Sequence, residues 1–144
     1  VEGGGVTSID LPWPPAALSP NARLNWRAVH RKRHSYRHTC AWTCVDQKVR
    51  KIEAERVKAT IIFSPPDARR RDIDNMLASI KAAIDAVAEA IGIDDSKWAI
   101  ELCRGLPRKG GNVRIVLEAT LDKTGTNLPV EADAMSSSAS AVGV

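Results

Sequence analysis

The chain has no CxxC pair, no apolar run long enough to span a membrane and no internal repeat. Its three cysteines, Cys40, Cys44 and Cys103, are odd in number and do not form a disulfide framework by spacing. Cys40 and Cys44 lie four apart on a predicted helix, where buried free thiols are the default. His34 and His38 share that spacing, but no second ligand cluster follows at the distance a zinc site needs. Val1 to Ser8 lack the basic and apolar regions of a signal peptide. The expectation is a cytoplasmic, reduced protein with no membrane segment.

What is present is charge, unevenly placed. At 144 residues the length suits one domain able to bury a core without disulfides or structural metal. The net charge is only +4, yet Ala22 to Lys58 holds eleven Lys/Arg against three acids, so this segment is at +8 and the remainder at −4. A basic block beside an acidic region suits a polyanion-binding protein with a cation site. The plainer reading is a solvated, charged helix face.

Patterning predicts six elements. Val6 to Leu11 reads as a strand stopped by Pro12-Trp13-Pro14-Pro15. Leu24 to Arg50 reads as a long helix with Arg27, Arg31, His34 and His38 on one basic stripe, opposite Tyr36, Cys40, Thr43 and Cys44. Val57 to Phe63 is a second strand ending at Pro65-Pro66. In the second helix Ile73, Leu77, Ile80, Ile84, Val87 and Ile91 recur at helical spacing, with Gly92 as its terminator. Lys97 to Leu106 and Asn112 to Ala119 alternate, and Pro107 to Gly111 predicts that they form an antiparallel hairpin. The order β-α-β-α-β-β implies an α+β fold, a small mixed β-sheet packed against two main helices. Residues 1–122 form the expected domain. The Ser/Ala/Gly-rich 123–144 is expected to be a disordered C-terminal tail.

Chemistry concentrates in Arg69-Arg70-Arg71-Asp72-Ile73-Asp74-Asn75 and in Asp94-Asp95-Ser96. Carboxylates bind hard cations such as Mg²⁺, while guanidinium groups bind phosphate oxygens. Asp72 falls at a helix start, where an N-cap or a complement to the macrodipole is the plain explanation. At the cap it lies outside helical geometry, so it can still converge with Asp74. Asp74, Ala78, Lys81 and Asp85 share one polar stripe. Lys81 could therefore lean back toward the acidic end or pair with Asp85 on the surface. Asp94-Asp95 is either a turn signal or a third acidic contribution. The residues point to a metal-dependent nuclease.

These motifs resemble the RusA family of Holliday junction resolvases, small homodimeric Mg²⁺-dependent endonucleases. Leu11-Pro12-Trp13-Pro14-Pro15 resembles the family's opening motif. Phe63-Ser64-Pro65-Pro66 with Arg69 to Asn75 resembles its central signature, Asp85 an acid of the same helix, and Asp94-Asp95-Ser96 the terminal acidic motif. The matches span about Leu11 to Leu117. The resemblance implies that Asp72, Asp74 and Asp95 are catalytic and bind metal, Mg²⁺ or alternatively Mn²⁺. It implies paired nicking of branched DNA, four-way junctions above all, by a homodimer during recombination and repair. The usual family lysine position is Ala78 here. Lys81, one turn on, resembles the arrangement of a phage-like branch and is the expected catalytic lysine. Arg69, Arg70, Arg71 and Asn75, with Arg27 and Arg31 of the basic stripe, are the expected DNA contacts. The alternatives are a nuclease for other branched DNA and a catalytically weak or inactive branched-DNA-binding protein, the latter suggested by Ala78.

Overall fold

The computed structural model describes residues 5–120, so the expected tail, 123–144, lies outside the described residues. The fold is α+β, a mixed four-stranded sheet with helices over one face. Strand β1 is Val6–Leu11, helix α1 Trp26–Asp46, and strand β2 Val57–Ser64. Helices α2, Ile73–Ser79, and α3, Lys81–Ile91, follow, then strands β3, Trp98–Arg104, and β4, Asn112–Ala119. Strands β1, β2 and β4 thus stand where the alternation put them.

Burial follows the pleat. Val57, Ala59, Ile61 and Phe63 of β2 and Val113, Ile115 and Leu117 of β4 point into the core, while Lys58, Arg114 and Glu118 face solvent. Helix α1 is shorter at both ends than the charge pattern suggested. Asn25 caps it by accepting a 2.8 Å hydrogen bond from the Ala28 N–H. Its buried strip is narrow, Tyr36, Cys40 and Cys44, and it packs on α3. Burial pushes the Cys40 thiol up to about 12, so it is an inert core group rather than a nucleophile. Tyr36 donates from its hydroxyl to the Pro12 carbonyl at 2.7 Å, tying α1 to the proline segment.

The expected β3–β4 hairpin does not form. The sheet order is β1-β4-β2-β3, with β2 inserted between the two strands. Strand β3 runs parallel to β2, and β4 antiparallel to it. Alternation identifies a strand but not its neighbour, and five turn-forming residues can cross a strand end as readily as close a hairpin. Here Gly105 N–H donates to Phe63 carbonyl at 2.7 Å and Arg108 N–H to Pro65 carbonyl at 2.8 Å. These bonds carry the chain past the end of β2, and Gly110 and Gly111, both at positive φ, turn it back on the far side.

The single second helix is also corrected: it breaks at Ile80 (φ −105°, ψ 17°). The Ser79 hydroxyl donates to the Asn75 carbonyl at 2.9 Å, a back-bond that bends helices. Ile80, Ile84, Val87 and Ile91 are buried as the spacing predicts. Before the break the buried positions are Met76 and Ser79, while Ile73 and Leu77 are half-buried. Gly92 ends α3 in the left-handed conformation (φ 79°), as expected.

Candidate functional site

The chain enters α2 through Pro65 to Asp72, and this loop is held by its own charges. Asp67 accepts from the Arg69 N–H and from Arg71 Nη1, both at 2.9 Å. Those bonds, the Arg71 bond first, hold the Asp67 carboxyl below its usual range. Arg71 also donates to the carbonyls of Asp67 and Arg69 at 3.2 Å, and its guanidinium lies 5.7 Å from the Trp13 ring centre. Its side chain is only 17% exposed. Arg71, expected to contact DNA, is thus committed to fixing the loop. Arg104, at the end of β3, locks it further by donating to the Arg71 carbonyl at 2.9 Å. Arg69 stands 4.0 Å from Asp67 and is largely exposed, and Arg70 has no ion pair among the described residues.

The two acids behave differently from what the helix start alone would require. Asp72 is the N-cap residue of α2, in extended geometry as expected, but its side chain makes no capping hydrogen bond. Asp74 is in the first turn and exposed. Among the described residues neither is within ion-pairing distance of a cation, although three arginines precede them in sequence. The stabilising role of an N-cap does not account for Asp72.

Lys81 opens α3, just past the break. Its ammonium lies 2.8 Å from Asp85 and 2.7 Å from Asp95. Both carboxylates raise its pKa, Asp85 the more. Of the two arrangements the stripe allowed, the pair with Asp85 is the one adopted: in this conformation Lys81 bridges Asp85 and Asp95 rather than leaning back toward Asp74. The Asp94-Asp95 pair divides its labour. Asp94 accepts from the Ser96 N–H at 3.0 Å and shapes the turn, its pKa lowered by Ser96, through the side chain first and this N–H second, while Asp95 reaches across to α3.

Arg69, Arg70, Arg71, Asp72 and Asn75 are brought together along one cleft of about 610 Å³. Its opposite wall is the proline segment with Trp13, a residue of the family-like opening motif that the sequence reading gave no role in the site. The sequence signal was an aromatic held between prolines, Pro12-Trp13-Pro14-Pro15. Trp13 meets Phe63 edge-on at 6.3 Å, and a Cβ on Gly111 would come within 2.7 Å of the Trp13 Cβ. Only glycine lets the chain pass behind the indole. Arg104 was also missed; with Arg69 to Asp72 it lines a smaller adjoining depression of about 330 Å³. Asp74 and Asp95 do not line either space, while Arg27 and Arg31 stand exposed on α1.

The donor chemistry at Asp72, Asp74 and Asp95 suits a hard cation. Among the described residues, however, no three His, Cys, Asp or Glu side chains converge as a metal-binding group. The three aspartates are not gathered into a finished metal centre in this conformation, and Asp95 is occupied by Lys81. No described helix is long and apolar enough to cross a membrane.

No family model matches the chain. It is 38% identical over 99 residues to an uncharacterized protein of Xylella fastidiosa (strain Temecula1), covering 63% of this chain and 61% of that protein. The chain thus spans less than two thirds of the relative it matches, and that relative carries no stated activity.

Proposed function

We propose that this protein is a metal-dependent endodeoxyribonuclease of the RusA type, resolving Holliday junctions by paired nicks. The observation that carries the reading is the state of Asp72. It is a helix-start carboxylate with no capping bond, next to Asp74 in the chain and lining a cleft rimmed by arginines. A carboxylate without structural employment beside phosphate-binding groups suits phosphodiester chemistry better than fold stability. Asp72, Asp74 and Asp95 would hold Mg²⁺, which supplies an activated water and neutralises charge on the scissile phosphate. Exposed Arg69 and Arg70 bind the phosphate backbone, and Arg71 with Asp67 fixes the loop that presents them. Lys81, once Asp95 no longer holds it, places a positive charge near the developing negative charge. The basic stripe through Arg27 and Arg31 contributes sequence-independent attraction to DNA. Two-fold symmetry of a four-way junction calls for a homodimer presenting two such sites.

One observation favours a second reading, a branched-DNA-binding protein with weak or no catalysis. Ala78, at the usual lysine position, is exposed, and the carboxylates do not converge. Incubating a labelled four-way junction with the protein, with and without Mg²⁺, tests both. Paired, Mg²⁺-dependent nicks at symmetric positions support the resolvase. Tight binding with no nicks in Mg²⁺ or Mn²⁺ supports the binding protein, and cleavage of flaps but not junctions assigns other branched DNA.

A further inference from the structure

The cleft beside Asp72 has a composition that phosphate binding alone does not explain. Part of its lining is apolar: Trp13 and Pro14 of the proline segment and Met76 of α2. The rim carries Arg69 and Arg70, both exposed, and the half-buried amide of Asn75. We infer that this cleft receives one unstacked nucleotide of the bound DNA strand, its base between Trp13 and Met76 and its phosphate at Arg69 and Arg70. The inference rests on the nucleic-acid reading above and extends it to a base-holding subsite.

Three properties select this occupant. The volume, about 610 Å³, lies within the range of small-molecule sites and holds one nucleotide without holding a duplex. Charge is complementary: Asp67 pairs closely with Arg71 and stands 4.0 Å from the exposed Arg69, so Arg69 and Arg70 together outweigh the Asp72 carboxylate in the cleft and suit an anion. The Trp13 indole carries the Arg71 guanidinium 5.7 Å from its centre, and aromatic and guanidinium planes both accept the flat face of any base, whereas the Asn75 amide can bond a base edge. A base in continuous duplex cannot enter without leaving its stack, and a branch point lowers that cost. The cleft would therefore favour DNA that is already open, and would give the protein a base preference near the exchange point.

The test uses a four-way junction and a single-stranded oligonucleotide carrying 5-iododeoxyuridine at successive positions, irradiated with the full chain in EDTA. The expected result is a crosslink to the peptide containing Trp13 or Met76, confined to one or two positions near the exchange point. Ala16→Trp, at an exposed position of the cleft, should cut that crosslink at least tenfold by filling the space. Arg70→Ala, which removes no described contact, should lower it severalfold, with circular dichroism unchanged for both. Crosslinks only to α1, or yields unchanged in both variants, would overturn the subsite. Nicking by the unmodified chain in Mg²⁺ is scored separately, so loss of the nuclease reading with crosslinking intact is distinguishable. Failure to bind either DNA removes both.

Discussion

Two charged clusters along the same helical stretch are built by opposite logic. At the start of α2, the arginines beside the acids in sequence do not pair with them: Arg71 turns back to Asp67, and Asp72 and Asp74 are left without a cation. At the start of α3, the cation finds its acids at a distance, Lys81 meeting Asp85 one turn on and Asp95 beyond Gly92. The first cluster spends its neighbours on holding a loop and leaves carboxylates available. The second is satisfied. Adjacent opposite charges in a sequence therefore do not imply an ion pair. The loop geometry between Pro65 and Asp72 decides which guanidinium turns inward.

The comparison can be broken most forcefully at Asp74. If the available acids serve a metal, Asp74→Asn should abolish Mg²⁺-dependent nicking, a loss of at least about a hundredfold, or roughly 2.7 kcal/mol. Stability should move by no more than the 0.3–1 kcal/mol or so of a helix-start charge. Near-normal nicking by a folded variant would sink the metal-ligand assignment.

Lys81 is next. Lys81→Ala should slow nicking about tenfold, equivalent to roughly 1.4 kcal/mol, with junction affinity little changed. A normal rate would make Lys81 a surface partner of Asp85 and Asp95 only, and would pass its role to Arg69 or Arg70.

The arginines sharpen the contrast between structural and free charge. Arg71→Ala should lower stability by about 1 kcal/mol in urea denaturation, because a mostly buried guanidinium loses several partners at once. Arg70→Ala should leave stability unchanged while weakening DNA binding and flattening its salt dependence. Equal effects on stability would contradict the division of labour.

The smallest effect is on pH. Asp67 has a folded pKa below its ordinary 3.8, chiefly through Arg71. Its contribution is therefore complete above the unfolded value and is lost as pH falls through the lowered folded value. The Trp13 indole N–H resonance in NMR should report loosening of the loop only in that acid range, and Asp67→Asn should remove the transition. A transition at the same pH in the variant would assign it to another group.

Much of the fold was legible because local pattern fixes local structure. The alternation in Val57 to Phe63 and in Asn112 to Ala119, the prolines that end strands and Gly92 at the helix end each act through nearest-neighbour geometry. Asp72 was legible as an extended cap residue for the same reason. Strand order was not, since a βαβ crossover places β3 beside β2 through the packing of α3 on the sheet, which alternation does not encode. The helix break at Ile80 is accompanied by a hydroxyl bond, Ser79 to Asn75, of a kind that bends helices and is invisible in an unbroken apolar period. The site divides along the same line. Sequence by itself determined which residue types, arginine, aspartate and lysine, carry the chemistry. Tertiary structure decided which of them are spent on the fold, because only the packed loop sets Asp67 against Arg71 and only the turn after Gly92 sets Asp95 against Lys81.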